Sequence, residues 1–280
     1  MAAMSRRRAA TVPNIQTKVT DLAMIIAISN QKGGVAKTTT CVSLGAALVE
    51  RAQEVLVVDL DPQANLSLAL GAPPNGRHRT AADVLLGNHT IVSVSRETSL
   101  PGLDLIPAND DLRLVEKFLH VRDNYEFTLS RALTQAAMYR MILCDCPPAL
   151  GSITLNALNA ADLLLIPTQC EYFSAHGLNK VLELVRQVRE SSNPHLSYRI
   201  LVTMFDRRNR VHHSIQAQLK EAFGDALLEC VIEIDTKLRE TPLFGQPITS
   251  YAPNSRAALQ YRSLAEELMH YAQQKAAQPG

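Results

Sequence analysis

Gln31-Lys32-Gly33-Gly34-Val35-Ala36-Lys37-Thr38-Thr39-Thr40 stands between two segments of opposite character. Before it, Ala23-Met24-Ile25-Ile26-Ala27-Ile28 is continuously apolar and reads as a buried parallel strand. After it, residues 38–50 read as a helix. A glycine loop that joins a strand to a helix and closes on Lys-Thr is built to hold phosphate. Loop N–H groups and the positive helix end face the anion, the lysine reaches the β/γ oxygens, and the threonine hydroxyl ligates Mg²⁺. Gly33, Gly34, Val35, Ala36, Lys37, Thr38 and Thr39 are therefore the candidate nucleotide contacts, with Thr38 a candidate metal ligand. The literal spacing G-x-x-x-x-G-K-[ST] is not met, because Gln31 and Ala36 stand where its glycines belong. The loop offers Gly33-Gly34 and a second lysine, Lys32, instead. A methyl at position 36 fits if the backbone there is not at positive φ.

Two further apolar runs end in acids. Glu54-Val55-Leu56-Val57-Val58-Asp59-Leu60-Asp61 reads as a buried strand, and alternation predicts that Asp59 and Asp61 share one side of its extended end. Met141-Ile142-Leu143-Cys144-Asp145 reads as a third, closing on Asp145. Strands are expected near 24–30, 54–59, 103–107, 140–145, 162–167, 199–204 and 230–234, alternating with helical segments. That order predicts an α/β fold: a doubly wound, mostly parallel sheet with helices on both faces. Ligands of such sheets sit outside the carboxyl ends of the strands, where all three motifs fall.

Composition narrows the function classes. Formal net charge is +1, so any nucleic-acid surface must be a local patch. No run reaches the ~18 apolar residues of a membrane span. Residues 1–22 carry Arg6-Arg7-Arg8 without a following apolar run and are expected to be a disordered basic extension, not a signal peptide. A single domain is expected over 23–275, with 276–280 a tail and fraying after Ala272. The five cysteines lack zinc spacing, so they read as small buried apolar residues of a reducing cytoplasm. His212-His213 reads as a solvated helix start.

The lysine before the double glycine, Val58-Asp59-Leu60-Asp61-Pro62-Gln63, and the Asp145-Cys146-Pro147-Pro148 strand end resemble the three boxes of the ParA/MinD family of deviant Walker A ATPases. Leu150–Leu158, Pro167–Ser174 and Lys237–Pro242 extend the likeness to the short, Soj-like chromosome and plasmid partition ParA sequences. The resemblance implies a P-loop NTPase fold, ATP and Mg²⁺ as ligands, and ATP hydrolysis. It implies that Lys37 is catalytic, that Asp61 places the attacking water, and that Asp145 holds Mg²⁺. It also implies that Lys32 reaches the nucleotide of a second copy, so that ATP drives a homodimer. Basic residues matching Lys237 and Arg256 would contact DNA without sequence preference, and a ParB-like partner would stimulate hydrolysis on the nucleoid. Arg207, Arg208 and Arg210 are further basic candidates. At 233–237, Glu-Ile-Asp-Thr-Lys replaces a more basic family stretch, which weakens the DNA inference. The alternatives are a MinD-like or cargo-positioning ATPase and a metabolic P-loop enzyme such as an amidoligase. The C-terminal segment 264–275 lacks the basic amphipathic face of a membrane-lying helix, which speaks against the membrane.

Overall fold

Short runs rich in Val, Ile and Leu form all the strands but the third: β1 Met24–Ile28, β2 Val55–Asp59, β3 Arg96–Glu97, β4 Leu103–Ile106, β5 Met141–Asp145, β6 Leu163–Gln169, β7 Ser197–Phe205 and β8 Leu227–Glu233. They lie in one eight-stranded sheet in the order β3-β4-β2-β5-β1-β6-β7-β8. Every pairing is parallel except β3 with β4. The computed structural model describes residues 23–75, 78–171 and 174–277, with the backbone alone at 174–176. The extension expected over 1–22 lies outside the described residues, as do residues 278–280.

Strand alternation sorts the core into two layers. Ile26, Ile28, Val55, Val57, Met141, Leu143, Leu163 and Leu165 face one side, where Leu44 and Leu48 of the Lys37–Val49 helix and Tyr261, Leu264 and Leu268 of the Arg256–Ala277 helix cover them. Ala27, Leu56, Val58, Ile142, Cys144, Leu164 and Ile166 face the other side, under Ile153 and Ala157 of the Ser152–Ala160 helix and Val181, Val185 and Val188 of the Ser174–Ser191 helix. Fully burying each of the larger side chains is worth about 1.5–3 kcal/mol. The sheet is thus covered on both faces, as its near-continuous apolar strands require.

Two features depart from expectation. β3 is a two-residue edge strand that no periodicity announces; it exists only through its pairing with Asp104 and Leu105 of β4. The C-terminal helix does not fray after Ala272 but runs to Ala277. Lys275 holds that end down, its Nζ donating to the carbonyls of Asp162 at 3.0 Å and His195 at 3.3 Å.

Candidate functional site

The glycine loop leaves β1 through Ser29 and Asn30, both buried. Asn30 turns the chain: its Nδ2 donates to the Pro167 carbonyl at 2.7 Å and its Oδ1 accepts from Lys32 N at 3.0 Å. Side chains from other elements then pin three loop carbonyls. Lys37 Nζ lies 3.4 Å from the Lys32 carbonyl, Gln169 Nε2 donates to that of Gly34 at 3.0 Å, and Thr203 Oγ1 to that of Val35 at 3.1 Å. In a trans peptide the following N–H points opposite to the carbonyl. The amides of Gly33, Val35 and Ala36 therefore point away from these three partners. Gln169 and Thr203 stand at the ends of β6 and β7. Sequence reasoning gave neither a role, since each lies over a hundred residues from the loop it supports.

At Ala36 the condition for an unstrained methyl is not met. It sits at φ 68°, ψ 31°, in the left-handed region, at the N-cap of the Lys37–Val49 helix. Gly34, at φ +73°, shares that conformation at no steric cost. For alanine it costs about 1 kcal/mol. The loop imposes it because the Val35 carbonyl is tied to Thr203 on one side while the Ala36 carbonyl must accept from Thr40 N, at 2.9 Å, on the other.

Register brings the acids together. Asp145 of β5 lies opposite Ile28 of β1 and Asp59 of β2. Asp145 is 1% exposed; its Oδ2 accepts from Thr38 Oγ1 at 2.7 Å, and its Oδ1 has no partner. Burial, then the neighbouring Asp59 carboxylate, pushes its carboxyl well above the usual range. Lys37 is 8% exposed beside it. Burial lowers the Lys37 pKa, while Asp145 and then Asp61 draw it back up. An orphaned buried carboxylate oxygen next to a threonine hydroxyl is a hard oxygen donor set that fits Mg²⁺.

β2 ends at Asp59, Leu60 N still donates to the Asp145 carbonyl of β5 at 3.0 Å, and Asp61 N donates to Asp59 Oδ1 at 3.1 Å. Asp59 points inward, where Ser67 supplies its Oγ at 2.6 Å and its N at 2.8 Å. Burial raises its pKa to about 7. Asp61 stands half-buried in the turn, its Oδ1 accepting from Gln63 N at 2.9 Å. β2 ends two residues before Asp61, so strand alternation does not by itself place the Asp61 side chain.

The remaining residues separate into other settings. Lys32 Nζ is bound within its own chain, to Glu171 Oε2 at 2.6 Å and Gln169 Oε1 at 3.1 Å. Lys237 and Arg256 meet at the end of β8, where Asp235 caps both of their helices by accepting from Lys237 N at 3.0 Å and Ala257 N at 3.2 Å. Lys237 Nζ pairs with Glu240 at 2.9 Å, and Arg256 Nη1 with Glu233 at 3.0 Å. All five cysteines are free and buried, and no His/Cys/Asp/Glu metal cluster occurs among the described residues. A cleft of about 340 Å³ opens elsewhere, at the start of the Ser152–Ala160 helix, lined by Glu116, His120, Tyr125 and Leu155. Glu116 already caps that helix, accepting from Ser152 N at 2.7 Å and Ile153 N at 2.9 Å.

An AAA domain family model matches residues 23–198. The chain is 39% identical over 249 residues to chromosome partitioning protein ParA of Caulobacter vibrioides, covering 88% of this chain and 93% of that protein. It is 40% identical over 246 residues to sporulation initiation inhibitor protein Soj of Bacillus subtilis, covering 87% and 97%. Among solved structures, cobyrinic acid a,c-diamide synthase from Mycobacterium smegmatis with bound ADP and magnesium is similar at TM-score 0.79 and 33% identity, over 91% of this chain and 97% of that one. The Pyrococcus furiosus cell division ATPase MinD is similar at TM-score 0.73 and 27% identity, over 89% and 100%.

Proposed function

From a chain that belongs to the ParA/MinD-type AAA-domain family of P-loop ATPases, with ParA and Soj partition proteins among its relatives, we propose an ATP-dependent partition switch. The observation that carries this reading is the buried group at the end of β5. Lys37, Thr38 and the half-satisfied Asp145 form a buried site that offers a cation to a phosphate and an unused carboxylate oxygen to a metal ion.

Lys37 and the amides of Gly33 through Thr39 take the β/γ-phosphate oxygens of ATP. Thr38 and Asp145 would hold Mg²⁺, which when bound neutralises charge on the transferring phosphoryl group. Asp61, outside the strand and above the site, holds a water in line for attack. Lys32 is the residue that makes the switch. Released from Glu171, it supplies a cation to the nucleotide of a second copy, so two ATP-loaded chains close face to face. The dimer doubles the basic surface around Lys237 and Arg256 and binds DNA without reading its sequence. A ParB-like partner stimulates hydrolysis and release, and the protein works on the nucleoid.

A second reading is a positioning ATPase with another cargo, and one observation favours it: Lys237 and Arg256 are both paired with acids of their own chain. A membrane is the weaker cargo. No helix among the described residues is long and apolar enough to cross one. Leu264 and Leu268 of the last helix are buried in the core. Co-sedimentation with plasmid DNA, and separately with anionic liposomes, with and without ATP, tests the reading. ATP-dependent recovery with DNA alone is expected. Recovery with liposomes alone overturns it, and recovery with neither favours a protein cargo.

A further inference from the structure

β7 loses its regular pairing before it ends. Its register with β8 shifts between Val202 and Phe205, and within that interval Met204 sits at φ 52°. A residue with a Cβ adopts the left-handed region only where its surroundings fix it. Here its neighbours do so: Thr203 is buried with its Oγ1 on the Val35 carbonyl, and Phe205 is buried on the other side. Met204 itself is turned out to 37% exposure. Its Sδ lies 2.7 Å from Gln169 Nε2, the nitrogen that also donates to the Gly34 carbonyl at 3.0 Å. Gln169 Oε1 in turn accepts from Lys32 Nζ at 3.1 Å. An accessible thioether therefore backs the amide that braces the phosphate loop. The other described methionines lack that combination. Met24 and Met141 are buried, Met269 packs against the core, and Met138, 56% exposed, stands just before β5 at the opposite edge of the sheet.

We propose that Met204 is a site of reversible oxidation by hydrogen peroxide, and that its sulfoxide weakens nucleotide binding by drawing Gln169 off the loop; this rests on the phosphate-site reading above. The step is a two-electron transfer of one oxygen atom. The thioether sulfur attacks one peroxide oxygen, the S–O bond forms as the O–O bond breaks, and the second oxygen leaves with both hydrogens as water. A thioether is a weak acceptor and leaves the Gln169 amide to Gly34. A sulfoxide oxygen is a polar acceptor carried on the very atom that touches Nε2. The amide turns to it, and the Gly34 carbonyl loses its partner. Gly34, at φ +73° and without a side chain, then has little to hold its peptide plane. The Val35 N–H shares that plane and turns with the carbonyl. Competing sulfurs are shielded, since all five cysteines are buried and burial raises each thiol pKa.

The test treats the full chain, free of nucleotide, with hydrogen peroxide and locates sulfoxides by peptide mass spectrometry. ATP affinity in the presence of Mg²⁺ is measured by titration calorimetry before and after. Sulfoxide at Met204 is expected, with the Kd for ATP raised about tenfold and restored by methionine sulfoxide reductases of both epimer types. Each variant is compared with its own untreated form. Met204→Leu, close in volume and without sulfur, is expected to show no change on treatment, and Met138→Leu to lose affinity as the parent does. The proposal is overturned by a Met204 that stays reduced where Met138 is oxidised, or by a Met204 sulfoxide with unchanged ATP affinity. An equal loss in Met204→Leu puts the damage elsewhere and overturns it too. If Met204→Leu does not fold, recovery of the parent on enzymatic repair still decides, because these reductases act on methionine sulfoxide alone. An untreated parent that binds no ATP overturns the phosphate-site reading and the proposal together, whereas a parent that binds ATP and is indifferent to peroxide overturns the proposal only.

Discussion

The carboxyl ends of β1, β2 and β5 and the carboxyl end of β8 both gather charge, in opposite ways. At the first, Asp59, Asp145 and Lys37 are buried, one carboxylate oxygen has no partner, and both aspartates are pushed toward the neutral form. At the second, Arg207, Lys237 and Arg256 are exposed, and each already has a carboxylate of its own chain. Desolvated charge without a partner is costly and points to a ligand that completes it. Exposed, paired charge is worth little and names no ligand by itself. The phosphate site can therefore be argued from energetics, whereas the β8 surface has to be argued from geometry.

The strongest way to break this contrast is Lys37→Ala. It removes the buried cation while leaving the sheet intact, and should cost about 3 kcal/mol in ATP binding, roughly a hundredfold in Kd. Titration calorimetry on a variant shown to be folded by circular dichroism checks it; an unchanged Kd would remove the phosphate assignment. Lys32→Ala lies between the two regions in character, being half-exposed and paired. It should keep ATP binding and lose the ATP-dependent dimer, as read by size exclusion with light scattering. A variant that dimerises as the parent does leaves Lys32 as a surface lysine held by Glu171.

The buried acids carry a signature of their own in pH. Burial pushes the Asp59 carboxyl up to about 7 in the folded chain, against about 4 for an ordinary aspartate. Between those values the folded chain binds a proton that the unfolded chain does not, so Asp59 makes stability fall as pH rises through this window and level off above 7. The effect is on the order of 2 kcal/mol or more. In metal-free buffer, the melting temperature of Asp59→Asn should gain on that of the parent from pH 4 to 7. A constant gap would show that Ser67 and the Asp61 amide outweigh burial. The smallest effect belongs to Lys237→Glu. Its partner Glu240 has already used much of its charge, so DNA binding should drop by about 1 kcal/mol for every sequence alike, with ATPase activity in the absence of DNA preserved. A sequence-dependent loss in a duplex panel would mean that this surface reads bases.

The phosphate loop was legible because its signal is local. A strand, two glycines, Lys-Thr and a helix lie within a few turns of chain, and the apolar periods flanking them admit few alternatives. The acid-ended strands were legible for the same reason, down to a residue or two at each boundary. The setting of Asp61 is less legible, because alternation holds only while a strand continues, and β2 stops at Asp59. The φ of Ala36 is not legible in the sequence, because it is imposed by what holds the neighbouring carbonyls, and Thr203 is not a sequence neighbour.

By itself, then, the sequence determined the order of strands and helices, the two-sided burial of the sheet and the position of the phosphate cradle, all of which follow from side-chain periods and short-range backbone preferences. Only the tertiary structure decided which groups meet. Register set Asp145 beside Asp59, the ends of β6 and β7 brought Gln169 and Thr203 onto the loop, and the end of β8 placed one carboxylate under Arg207 and Arg256. These partners are distant in the chain, and nothing in their local spacing encodes the contact. Packing of the two helical layers fixes it, because a covered parallel sheet admits one register per strand and carries every side chain at a strand end to the same edge.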